Sequence, residues 1–226
     1  PYQAFFGGRY TVDGLRARWV APTPLLVELG GEASEDAYSL FAKVGGDVGS
    51  SHAWQAGVSY ISANPDGMGH EHEGEAEEGE GFIGDSDLTI VDFVWKWAPD
   101  GNTTVRNFKV QGEYFWRSEN GVFDDIDYDG DQSGWYLQGA WQFAPQWRAG
   151  LRYDEADVDN GPLLAGTVLE DPGRTSSRVS AMLDFSPSEY SRLRLQYTKD
   201  DVLPDSQDQW FLQYIMSLGA HGAHQF

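Results

Sequence analysis

Along most of the chain, apolar and polar residues alternate with a period of two. In the segment Trp135–Phe143, one side carries Trp135, Leu137, Gly139, Trp141 and Phe143, and the other carries Tyr136, Gln138, Ala140 and Gln142. Successive side chains of an extended strand point to opposite faces, so this pattern predicts a strand with one apolar and one polar face. Equivalent segments recur at 14–20, 24–30, 38–45, 52–63, 86–97, 103–117, 133–143, 146–153, 175–185, 190–199 and 208–219. These are eleven candidate strands; Tyr2–Tyr10 offers part of a twelfth. No segment carries a convincing helical period.

The connections fall into two groups. Ala21–Pro24, Gly46–Ser51, Ala98–Asn102, Ala144–Gln146 and Ser186–Glu189 are short and hold Pro, Gly, Asn or Ser, the residues of tight turns. Gly31–Asp36, Asn64–Asp85, Ser118–Gln132, Asp154–Arg174 and Asp200–Asp208 are long or acidic. The groups alternate along the chain. In an up-and-down meander that alternation places every short turn at one end of the sheet and every long loop at the other. Transmembrane β-barrels sort their loops in this way.

Charge sharpens the picture. The 226 residues include 36 acids and 15 bases, for a net charge of −21. The five long connections hold 27 acids and one base, Arg174, leaving nine acids and 14 bases elsewhere. The predicted strands place Arg16, Arg18, Lys43, Lys96, Lys109, Arg117, Arg148, Arg152, Arg178, Arg192 and Arg194 on their polar faces, with Glu113 among them, as a candidate pore lining. The opposite faces are nearly free of charge. An Arg or Lys facing lipid at the bilayer midplane costs ~2–4 kcal/mol, which accounts for eleven bases avoiding one side. Trp19, Trp97, Trp141, Trp147 and Trp210 lie near strand ends, where aromatic residues line the membrane–water interface. A soluble two-sheet sandwich also alternates, but its buried face favours Val, Ile and Leu.

Composition removes other classes. There is no Cys, so disulfide scaffolds and thiol chemistry are excluded. The acidic balance argues against nucleic-acid binding, and 32 aromatic residues argue against intrinsic disorder. No 18-residue apolar run exists, so no transmembrane helix is expected. A start at Pro1 without a signal peptide suggests a mature chain or a fragment.

The final alternating strand runs to Phe226, the residue type that closes the C-terminal assembly signal of Gram-negative outer-membrane barrels. The segments Leu40–Gly49, Asp92–Trp97, Gln111–Trp116, Gly130–Tyr136 and Ser217–His224 extend the likeness. The chain resembles a porin-like outer-membrane family whose members are often labelled zinc-regulated or TonB-dependent-receptor-like. The resemblance covers nearly the whole sequence, against the C-terminal part of longer members. It implies one β-barrel domain over 1–226, set in the outer membrane of a Gram-negative bacterium. It also implies contacts with lipid, lipopolysaccharide and the barrel-assembly machinery, and passage of small solutes or ions. Eleven strands fit a piece of a larger barrel, because bacterial single-chain barrels have even strand numbers. No TonB box or plug-like domain is visible.

Two acidic stretches suggest metal. In the loop 64–85, His70 and His72 with Glu71, Glu73 and Glu75 offer imidazole and carboxylate ligands for loosely held zinc, though without fixed ligand spacing. Asp125, Asp127, Asp129 and Gly130 match the front of a calcium loop, but its twelfth position is Tyr136 where a bidentate Glu is required. The alternative for both is a solvated acidic loop. No cofactor is required by this reading. No nucleophile elbow is present, so an enzyme is not expected. A non-conducting surface barrel and a secreted soluble sandwich remain the other readings.

Overall fold

The computed structural model describes Phe5 and residues 13–64, 82–123, 126–160, 173–203 and 205–217. They form one antiparallel sheet of eleven strands whose spatial order is the chain order. The strands are β1 (Gly14–Val20), β2 (Leu26–Ser34), β3 (Ala37–Val48), β4 (His52–Ala63), β5 (Phe82–Trp97), β6 (Asn107–Phe123), β7 (Ile126–Ala144), β8 (Trp147–Asn160), β9 (Ser176–Ser188), β10 (Ser191–Asp200) and β11 (Gln207–Met216). A 3₁₀ turn, Pro99–Gly101, lies between β5 and β6. Each strand pairs with its sequence neighbours, and β1 and β11 carry one partner each. The sheet is therefore an up-and-down meander and is not closed.

Every predicted strand is present, but several run further than the alternation suggested. Gly31–Ser34 continue β2, Ser118–Phe123 and Ile126–Gln132 continue β6 and β7, and Asp154–Asn160 continue β8. The expected loops at 31–36 and 118–132 are thus mostly ladder, leaving positions 35–36 between β2 and β3, and Phe82–Asp85 belong to β5. Acidic residues have low strand propensity, yet propensity is weak against a ladder that is already paired. The sorting of connections by length holds only in part, since the connection 98–106 at the opposite end is longer than 35–36. The twelfth strand suggested at Tyr2–Tyr10 lies, apart from Phe5, outside the described residues.

Register decides which residues share a face. Arg16, Glu32, Ser39, Ile61, Leu88, Arg117, Gln132 and Val158 form one continuous cross-strand row. Leu15, Leu29, Leu40, Val58, Val91, Tyr114, Leu137, Leu151, Leu195 and Leu212 belong to the other face. The first face buries its side chains: Phe115, Tyr136, Asp184 and Thr198 are all below 4% exposed. The second leaves Leu15, Leu151, Trp210 and Leu212 between 67% and 85% exposed. A sheet with no second layer buries side chains only where they converge, on its concave side. The polar face is therefore concave and the apolar face convex.

Candidate functional site

All twelve predicted lining residues lie on the concave face: Arg16, Arg18, Lys43, Lys96, Lys109, Glu113, Arg117, Arg148, Arg152, Arg178, Arg192 and Arg194. Most of the arginines there have carboxylate partners. Arg194 grips Asp184 through Nε and Nη2 at 2.7 and 2.9 Å, and Arg192 reaches the same carboxylate at 3.8 Å. Arg152 makes a fork with Asp154 and lies 3.9 Å over the ring of Tyr136. Arg178 pairs with Asp200, Arg117 with Glu119, Arg18 with Glu28 and Arg16 with Glu32. Lys43 faces Asp92 across Gly57, where a Cβ would collide with the Asp92 carboxylate at 2.2 Å. The glycine makes that approach possible. Of these partners, only Glu28, Asp92 and Asp184 were visible as strand residues in the sequence; Glu32, Glu119, Asp154 and Asp200 fell in segments expected to be loops.

The concave face also holds an apolar patch that the sequence did not reveal. Phe115, Leu88 and Tyr136 pack together, with Ile61 and Ile90 against them, and Phe5 caps the group. The Phe5 ring stacks on Phe115 at 5.1 Å with 13° between planes. Arg117 Nη1 donates to the Phe5 carbonyl at 3.2 Å, and its guanidinium lies 5.6 Å from the Phe5 ring. Gly134 completes the seat, because a Cβ there would meet the Phe5 ring at 2.7 Å. These contacts span more than a hundred residues, which no local pattern encodes.

On the convex face, aromatic residues gather at two levels. Near the short turns lie Trp19, Trp97, Trp141 and Trp147, joined by Trp95, Phe108 and Phe185. Towards the other end lie Trp210 and Tyr197, Trp135 and Tyr153, Tyr114 and Trp116, and Tyr38 and Tyr60. Between the levels on β6, Phe108 to Trp116 spans roughly 27 Å along the strand, or about 20 Å along an axis inclined by about 40°. Beyond the second level the face turns acidic, with Asp85, Asp87, Asp127, Asp129, Asp131, Glu155, Asp157, Asp159 and Asp208. Aromatic polar atoms reach up to this band. Tyr60, Tyr153 and Tyr197 donate to Asp87, Glu155 and Asp208 at 2.6–2.7 Å, and Trp135 donates to Glu155 at 3.2 Å.

The suggested metal residues fare differently. His70, Glu71, His72, Glu73 and Glu75 lie outside the described residues, as do Asp125 and Phe226. Asp127, Asp129 and Gly130 sit in the extended strand β7, so they do not form the turn that a calcium loop of this pattern needs. Among the described residues, no three His, Cys, Asp or Glu side chains come together to hold a metal. On the concave side of β7, Tyr128 donates to Glu119 at 3.0 Å. Burial, followed by the Glu119 charge and this hydrogen bond, pushes the Tyr128 hydroxyl up to about 12.

No family model matches the chain. It is similar to an uncharacterized protein of Aquifex aeolicus (strain VF5), 26% identical over 261 aligned positions. That alignment takes in all of this chain and 54% of the Aquifex protein, so the chain spans about half the length of the curated relative it matches.

Proposed function

We propose that the chain forms a large part of the wall of an outer-membrane β-barrel that lets small hydrophilic solutes or ions pass. The observation that carries this reading is the pairing of two unlike faces on one sheet. The convex face offers a charge-free apolar belt between two aromatic levels, and the concave face holds a lattice of ion-paired side chains. Water does not favour so large an exposed apolar surface. Lipid does, and in lipid the open edges of β1 and β11 must find partners so that every backbone group is satisfied. Further strands of a longer chain would supply those partners.

In this arrangement Trp19, Trp97, Trp141 and Trp147 sit at one membrane interface and Trp210 at the other. The acidic band above the belt, with His70 and His72 in the neighbouring segment 65–81, gathers divalent cations such as zinc or calcium at the outer surface and bridges to lipopolysaccharide phosphates. Phe226 ends the strand signal read by the barrel-assembly machinery.

Conductance across planar bilayers tests the proposal: discrete, ohmic steps support passage, and silent membranes carrying correctly folded protein contradict it. One feature favours a second reading, a barrel that binds without conducting. Phe5, seated on the concave face, takes up space in the lumen.

A further inference from the structure

The concave face is not balanced along its length. Above its middle, each arginine that points inward has a carboxylate within 4 Å. Near the short turns, Lys96 and Lys109 are direct cross-strand partners on the same face, an arrangement that is unfavourable for like charges unless something offsets it. Arg148 adds a third cation, and Lys109 feels the charges of both Lys96 and Arg148. None of the three has a carboxylate within ion-pair distance among the described residues.

The neighbouring acids are accounted for. Asp184 lies directly across from Arg148 in the register, but both its oxygens are taken by Arg194, with Arg192 also near. Asp47 lies in the same row as Lys96 but two strands away, with Ala53 between. Asp92 and Glu113 are two rows further up, and Asp92 faces Lys43. Arg148 is also held in place. Gln142 accepts from Arg148 at 3.2 Å and from Asn107 at 3.0 Å, while its own amide donates to the Thr104 carbonyl at 2.8 Å. Lys96, Lys109, Arg148, Asn107 and Gln142 line one hollow on this face, whose far side carries one carboxylate, Asp47, so three cations face one acid across it.

We infer that Lys96, Lys109 and Arg148 form a binding site for a small oxyanion, of the phosphate or sulfate class, at the short-turn end of the lumen. The site rests on the reading of the concave face as a lumen and adds a substrate preference to it. Three inward cations with no carboxylate in ion-pair range among the described residues are the arrangement that selects anions in pores, and a phosphate is the chemistry that accepts from a guanidinium and two ammonium groups together. The acids do not stand against this. Most of the outer band, from Asp127 to Asp131 and from Glu155 to Asp159 on alternate residues, points to the convex side and leaves the interior less negative than the net charge implies.

The test is titration of inorganic phosphate into the detergent-folded full chain at low ionic strength, followed by calorimetry and by phosphorus line width. Parent protein is expected to bind saturably with one site. The Lys96→Gln/Lys109→Gln variant should weaken that binding by about tenfold or more, and Arg148→Gln alone by a smaller factor. Arg16→Gln/Arg18→Gln, which removes two charges from the same face far from the hollow, should leave it unchanged. Absence of saturable binding by the parent overturns the site, and so does equal weakening by the Arg16/Arg18 pair. If the double variant does not fold, Lys109→Gln alone decides, since removing the central cation must weaken binding measurably. Conductance is read separately. Silent bilayers with phosphate binding intact overturn passage and leave the site standing, whereas conduction without phosphate binding overturns the site alone.

Discussion

The ring of Phe5 lies 5.1 Å from that of Phe115 and nearly parallel to it, although 110 positions separate them in the chain. This contact holds Phe5 on the concave face. Replacing Phe5 with Ala removes the stacked ring and the cation–π partner of Arg117, a loss of about 2 kcal/mol. If the ring stands in the passage, Phe5→Ala also raises single-channel conductance. Gly134→Val should have the same two effects without touching Phe5, because its side chain would occupy the seat. Equal conductance in parent and both variants would put Phe5 outside the conducting path.

The convex belt makes a sharper prediction about charge. Leu151 is 67% exposed and lies between Trp147 and Tyr153 on β8. Leu151→Arg should destabilise the bilayer-folded protein by ~2–4 kcal/mol in denaturant titrations. Asp157→Arg, on the same face and strand but above the aromatic level, should cost less than about 1 kcal/mol. Similar costs at the two positions would mean that no hydrocarbon boundary falls between them.

Asp184 serves Arg192 and Arg194 together. Asp184→Asn leaves both guanidinium groups, which are a quarter to a third exposed, without a countercharge. Partial solvent access lowers the penalty from that of a fully buried pair to roughly 2 kcal/mol. The substitution also adds positive field next to Arg148, so phosphate binding should tighten. Stability that falls while phosphate affinity stays constant would separate Asp184 from the proposed site.

Tyr128 gives a pH dependence. Its hydroxyl is raised from the ordinary 10.0 to about 12, chiefly by burial and then by Glu119. A raised value means that the neutral form is favoured in the folded state. The corresponding stabilisation is complete below pH 10 and is lost as pH climbs through about 12. Tyr60 is held up to about 12 as well, chiefly by its hydrogen bond to Asp87. Tyrosinate absorbance should therefore lose part of its late-titrating amplitude in Tyr128→Phe, and the melting temperature of the parent should drop more steeply than that of the variant between these pH values.

The sheet was largely legible in the sequence because alternation is a local signal. Trp135–Phe143 announces its two faces without help, and the register places all twelve expected lining residues together. Strand ends were not legible where acids occur. Asp127, Asp129 and Asp131 resemble a loop by composition, yet they alternate outward on β7 while Tyr128 and Gly130 turn inward. Ion-pair partners such as Asp154 and Asp200 were hidden for the same reason. The Phe5 seat had no sequence signal at all, because its key element is the missing side chain of Gly134. The histidines of 65–81 lie outside the described residues, and their role rests on the titration of zinc into protein carrying His70→Ala and His72→Ala. Weaker zinc uptake than in the parent supports that role, and equal uptake removes it.

The central claim is that the convex face meets lipid and the concave face meets water. The natural absence of cysteine makes this directly measurable. Single cysteines at Leu137, Gln138, Leu151, Arg152, Leu195 and Gln196 would carry an environment-sensitive fluorophore in protein folded into vesicles with spin-labelled lipids. The account predicts strong lipid quenching at Leu137, Leu151 and Leu195 and weak quenching at Gln138, Arg152 and Gln196. Quenching that fails to alternate, or that is absent at all six positions, would contradict it.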